Sequence, residues 1–129
     1  REDHDKRIVQ LFNEYKVEAI VMAGWMRIAT KFLINAYPDR LINIHPSLLP
    51  SFKGINAVQK ALNAGVKISG CSVHLVRLDV DSGPLLIQAA VPIYESDTNE
   101  TLSNRIQTHE HLILPVGVSI AAKRWRSNI

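Results

Sequence analysis

The chain has no long hydrophobic run, one cysteine and no glycine-rich loop, and each shortage closes off a class of protein. Apolar stretches such as Ala19 to Ala23 and Leu85 to Val91 fall well short of the roughly 20 residues that a membrane span requires, so no membrane partner is expected. The opening Arg1-Glu2-Asp3-His4-Asp5 has neither the apolar centre of a secretory signal nor the acid-poor character of a transit peptide. Cys71 is alone, which excludes an internal disulfide framework and fits a reducing cytoplasm. Neither a G-x-G-x-x-G nor a P-loop sequence occurs, so any phosphate cradle of that kind must lie outside these residues. No repeat, low-complexity stretch or Gly/Ser linker divides the 129 residues, and a single domain is expected.

What the chain does contain is ordinary globular composition, 47% hydrophobic and 21% charged. The formal net charge of +3 invites a nucleic-acid partner, but the basic residues are scattered. Only Lys123-Arg124-Trp125-Arg126 clusters, and a basic helix C-terminus is favoured by the helix dipole alone. No nucleic acid is therefore expected, while a phosphate-bearing or polyanionic small molecule fits the same charge.

Ile8, Leu11, Phe12 and Tyr15 recur at helical spacing, which predicts an amphipathic helix from about Asp3 to Lys16. Val17 to Ala23 reads as a buried parallel strand ended by Gly24. Thr30 can cap a short helix through Phe32, Leu33 and Ile34, which Pro38 stops, and Leu41 to His45 gives a second strand. A helix beginning near Asn56 carries Val58, Ala61 and Leu62 and closes at Gly65. Ile68 to Val76 and Pro84 to Ile93 then read as two strands joined by the loop Arg77 to Gly83, an antiparallel addition. Asp97 and Glu100 have capping-box spacing before a long last helix, bent near Pro115. The sum is an α/β fold with a mixed sheet. A sheet of this type normally begins on a strand, whereas this chain begins on a helix with Arg rather than Met. The expectation is a part of a longer domain, lacking its N-terminal portion.

Chemistry concentrates in Asn43-Ile44-His45-Pro46-Ser47-Leu48-Leu49-Pro50. Asn43 and His45 are two apart on a strand, so their side chains leave on one face, at the carboxyl end where open α/β sheets bind ligands. Pro46 and Pro50 stiffen the exit. Acyl transfer needs a donor for a developing oxyanion and a group that exchanges protons near neutrality, and an amide beside an imidazole supplies both. A carboxylate would fix the imidazole tautomer, and the loop Asp79-Val80-Asp81-Ser82-Gly83-Pro84 offers two. Taken alone, Asn43 and His45 are more often a strand-end pair bonding local backbone.

The segment Asn43 to Pro50, followed by Ser72-Val73-His74, then Asp81-Ser82-Gly83-Pro84 with Gln88, and finally Ile106-Gln107-Thr108-His109-Glu110-His111 with Pro115, resembles the signature of the 10-formyltetrahydrofolate-dependent formyltransferases. Ala23 to Ile28 resembles that family's folate-pocket segment, so the likeness covers almost the whole chain. It implies a Rossmann-like mixed sheet flanked by helices, 10-formyltetrahydrofolate as formyl donor and small-molecule partners. Within the family the branch that formylates glycinamide ribonucleotide in purine synthesis fits best, on His-Pro-Ser and Gln-x-x-Glu-His. A formyltetrahydrofolate hydrolase and a methionyl-tRNA formyltransferase fit less well, and an inactive folate-binding fragment is the remaining alternative.

By the same resemblance Asn43, His45 and Asp81 are catalytic, with Asp81 preferred over Asp79. Met26, Arg27, Ile28, Ala29, Ile34, Val76, Asp79 and Val80 hold the folate. Pro46, Gln107 and Glu110 hold the acceptor, Ser72 and His74 support the catalytic groups, no metal is needed, and the protein is a monomer or homodimer. Other histidines have plainer readings. His109 and His111 point to different helix faces, and Cys71 without basic neighbours reads as a small buried hydrophobe.

Overall fold

A computed structural model describes residues 2–14, 19–22 and 31–127. In chain order the elements are α1 (Glu2–Glu14), β1 (Ile20–Met22), α2 (Lys31–Ala36), β2 (Leu41–His45), α3 (Ala57–Ala64), β3 (Ile68–Leu75), β4 (Leu85–Pro92) and α4 (Asn99–Ser127). The strands lie in the order β1-β2-β3-β4. β1 and β2 are parallel, and β2–β3 and β3–β4 are antiparallel. This is the mixed sheet expected from the antiparallel addition of the strands Ile68 to Val76 and Pro84 to Ile93.

Burial follows position in the sheet. β3, flanked by strands on both sides, is buried along its length after Ile68, whereas the edge strand β4 alternates between buried and open positions. α4 covers one face with Leu102, Ile106, Ile113, Gly117 and Ala121, a stripe at helical spacing. These pack on Ile42, Ile44, Val73, Leu86 and Val91 in the main core. A smaller core joins α1, β1 and α2 through Val9, Ile20, Met22, Leu33, Ile34, Tyr37 and Leu41. Leu102 is fully buried, so Leu102→Ala removes about 2–5 kcal/mol. Cys71 is packed in the main core, where burial and the nearby Glu110 push its thiol up to about 12, which keeps it protonated and inert.

Several boundaries differ from expectation for local reasons. Asn56 precedes α3 in a left-handed conformation (φ 58°) and its side chain makes no cap, while Gly65 ends the helix at φ 74° as expected. Asp97 and Glu100 do not form the capping box. Thr98 and Thr101 do so instead, each backbone amide donating to the other's hydroxyl at 2.9 and 3.2 Å. α4 runs unbroken through Pro115. The ends of the first expected helix and strand, the capping role of Thr30 and the segment Ala23 to Ala29 fall outside the described residues.

Candidate active site

β2 and β3 build the floor of the site by register. Asn43 lies opposite His74 and His45 opposite Ser72, so four polar residues project from one face of two neighbouring strands. His45, His74 and Ser72 are all buried. Polar groups so placed must be bonded or must await a partner.

Behind the floor, hydrogen bonds hold the chain as it leaves β2. Ser72 Oγ donates to the Ser47 carbonyl at 2.7 Å and accepts from the Leu49 amide at 3.1 Å. Gln88 Nε2 donates to the Leu49 carbonyl at 2.9 Å and to Ser72 Oγ at 3.0 Å. Ser47 Oγ donates to the Ser51 carbonyl at 2.6 Å. The spaced Ser47, Ser72 and Gln88 of the sequence pattern are thus one network fixing the strand exit.

Asp81 reaches the floor from the loop after β3. Gly83 lets that loop return, because a Cβ there would collide with the Leu75 carbonyl oxygen, and the Leu75 amide then donates to the Pro84 carbonyl at 2.9 Å. Asp81 itself is left-handed (φ 52°), a conformation that Asp tolerates better than most residues. Its Oδ2 accepts from the Gly54 amide at 2.8 Å and stands 3.4 Å from His45 Nδ1. Its Oδ1 faces His74 Nε2 at 3.5 Å, an electrostatic contact without hydrogen-bond geometry.

The ring protons follow from these neighbours. His45 Nε2 lies 2.8 Å from the Phe52 carbonyl, which can only accept, so Nε2 is the donor and Nδ1 bonds Asp81 only when it also carries a proton. His74 Nδ1 donates to the Leu75 carbonyl at 3.2 Å, leaving the Nε2 lone pair toward Asp81. Burial pushes the His74 pKa below its ordinary value, against the opposing pull of the Leu75 carbonyl and Asp81, so this ring is neutral at pH 7.

A cleft of about 390 Å³ opens over these groups. Met22, Ile55, Val76, Leu78 and Val80 give it apolar walls, and Ser103, Gln107 and Glu110 face it from one side of α4. Ile55 and Leu78 are 68% and 56% exposed, apolar surface that a flat, mostly apolar ligand would cover. Asn43 Oδ1 is buried with no hydrogen-bond partner among the described residues. Burial raises the Glu110 pKa, and His111 only partly opposes it.

Of the sequence-derived candidates, Asn43, His45, Pro46, His74, Val76, Val80, Asp81, Gln107 and Glu110 line this one cleft. Ser72 lies behind it. Two candidates stand apart from this lining. Asp79 is exposed and absent from the lining, its carbonyl taken by the Ser82 amide at 3.4 Å, because the loop turns at Asp81 and sends Asp79 outward. Ile34 is buried in the smaller core, since α2 turns it toward Leu33 and Leu41. Met26, Arg27, Ile28 and Ala29 lie outside the described residues. Sequence reasoning missed Ser103, which the spacing to Gln107 and Glu110 along one helix face could have revealed. It also missed Gly54, whose contribution is a backbone amide.

An amide, an imidazole and a carboxylate converging on a cleft of a mixed α/β sheet are the parts of an acyl-transfer site, and the sequence model for formyl transferase matches residues 1–118. The chain belongs to the formyl transferase family. It is 39% identical over 119 residues to the phosphoribosylglycinamide formyltransferase of Escherichia coli, covering 92% of this chain and 56% of that protein. It is 43% identical to the trifunctional purine biosynthetic protein adenosine-3 of Bos taurus, over 92% of this chain and 12% of that one. The crystal structure of glycinamide ribonucleotide transformylase 1 from Symbiobacterium toebii superposes with a TM-score of 0.89 at 44% identity, covering 92% of this chain and 56% of that chain. The chain therefore spans little more than half the length of these bacterial relatives.

Proposed function

We propose that this chain carries the formyl-transfer site of a cytoplasmic enzyme of purine synthesis. The reaction moves a formyl group from N10 of 10-formyltetrahydrofolate to the amine of glycinamide ribonucleotide. The observation that carries this reading is Asp81, half-buried between two histidines and facing the same cleft as Asn43. The apolar walls at Val76, Leu78 and Val80 suit the flat pterin and benzoyl rings of the donor, and Gln107 and Glu110 suit hydrogen bonding to the acceptor.

In the reaction, the amine nitrogen bonds to the formyl carbon and the formyl oxygen gains negative charge. Asn43 donates to that oxygen, and His45, when it carries both ring protons, places positive charge beside it. The amine proton passes to Asp81, directly or through a water. On Oδ1 that proton meets the Nε2 lone pair of neutral His74. The bond from the formyl carbon to N10 then breaks, N10 takes up a proton, and Asp81 returns to its carboxylate form. The test is whether donor consumption by the whole protein depends on acceptor. Stoichiometric formylation of glycinamide ribonucleotide supports the reading, and donor consumption that ignores the acceptor overturns it in favour of hydrolysis.

A further inference from the structure

Three residues around the site hold left-handed backbone in one short stretch: Phe52 (φ 55°), Gly54 (φ 84°) and Asn56 (φ 58°). The alternation has an outcome at each end of the proton-handling pair. The Phe52 carbonyl turns to His45 Nε2 at 2.8 Å, and the Gly54 amide turns to Asp81 Oδ2 at 2.8 Å. The same stretch is strapped on both sides. Lys53 Nζ donates to Ser82 Oγ at 2.9 Å, in the loop that carries Asp81, and Lys60 Nζ of α3 donates to the Lys53 carbonyl at 3.1 Å. Nothing in these contacts uses the Gly54 side-chain position for packing. A Cβ there would meet only Lys60 Nζ, at 3.8 Å, so the glycine is required by backbone conformation and not by space.

We propose that Gly54 is a positioning residue for formyl transfer. Its amide aims one oxygen of Asp81 at His45 Nδ1, while the preceding turn delivers the Phe52 carbonyl that commits His45 Nε2 as donor. The inference rests on the formyl-transfer reading for its kinetic consequence, but the geometry stands without substrate. Without the Gly54 amide, Asp81 Oδ2 keeps only the contact to His45, and the carboxylate is free to rotate away from it. A displacement of about 1 Å in such a group costs on the order of 10²-fold in rate.

Whole-protein variants Gly54→Val, Gly54→Ala and Gly54→Asn separate conformation from size. Asn adopts left-handed backbone far more readily than Val or Ala. The expected order of kcat is wild type, then Asn, then Ala, then Val. Val falls by about 10²-fold, Asn recovers most of that loss, and the KM for acceptor changes little. In ring-nitrogen NMR spectra of His45 recorded without substrate, the Nε2-protonated signature of the wild type should persist in Gly54→Asn and be lost in Gly54→Ala and Gly54→Val. A folded Gly54→Ala with wild-type kcat, pH profile and His45 spectrum overturns the proposal, as does a Gly54→Asn as slow as Gly54→Ala. If Gly54→Val does not fold, the order of Asn and Ala decides. Should the wild type transfer no formyl group at all, the functional reading fails, and the His45 spectra still decide the role of Gly54.

Discussion

Asp81 and Asp97 are both carboxylates with little exposed surface, 9% and 3% of the side chain, yet they are bonded very differently. Asp97 is saturated. Arg105 grips it with two bonds of 2.8 Å, the Tyr94 amide donates at 2.7 Å, and the Thr101 hydroxyl donates at 2.8 Å. Arg105 also stacks over the Tyr94 ring, 4.3 Å from its centroid. These donors, Arg105 foremost, hold the Asp97 carboxyl well below the usual carboxylate range. Asp81 has one short bond, from the Gly54 amide, and two histidines beyond 3.3 Å. The carboxylate that holds a loop is bonded on every side, and the one that the proposed reaction protonates keeps lone pairs unengaged.

The largest separation of the two is expected from Asp81→Asn. Formyl transfer should drop on the order of 10²–10⁴-fold, the usual worth of a positioned acid–base group, with little change in the melting temperature. An Asp81→Asn protein that keeps more than a tenth of wild-type kcat would remove the contrast.

Asp97→Asn is expected to do the reverse, lowering the melting temperature while leaving the kcat of the folded fraction near wild type. Its pH dependence follows from a folded pKa below the unfolded one. The stabilisation is complete above about pH 4 and is lost as pH falls below that. Thermal melts of wild type and variant should therefore differ at pH 7 and converge on acidification, and parallel curves down to pH 2 would contradict the assignment to Asp97.

Glu110→Gln should give the smallest change and mixes the two behaviours. Burial raises the Glu110 pKa in the fold, so its ionisation costs stability as pH rises through the carboxylate range. Removing the charge is expected to leave the neutral-pH melting temperature unchanged or slightly higher, while the KM for acceptor rises about tenfold for one lost charged hydrogen bond. A lower melting temperature with unchanged KM would assign Glu110 to structure.

The parts of the fold legible in the sequence are those where pattern and punctuation agree. Leu41, Ile42 and Ile44 form an apolar run between Pro38 and Pro46, interrupted only by Asn43, and β2 ends at His45 just before Pro46. Where two residues of similar chemistry compete for one role, sequence alone does not choose. Asp97 has capping spacing to Glu100, but Arg105 draws its carboxylate away and Thr98 caps the helix instead. Asp81 was legible because its neighbours Gly83 and Pro84 mark a turn that a motif requires. The burial of Ile34 was not legible because the face a short helix presents depends on what packs against it, here the smaller core. The Gly54 amide and the Phe52 carbonyl were illegible because every residue but proline carries the first group and every residue carries the second.

A contact made by the backbone changes over generations under a different constraint from one made by a side chain. The group of residue 52 that reaches His45 is a carbonyl oxygen, and substitution does not delete a carbonyl oxygen. Replacements at 52 keep that group provided the new residue accepts the same left-handed turn. Heredity at that position preserves a shape of the chain, and the letter that spells it is open to exchange.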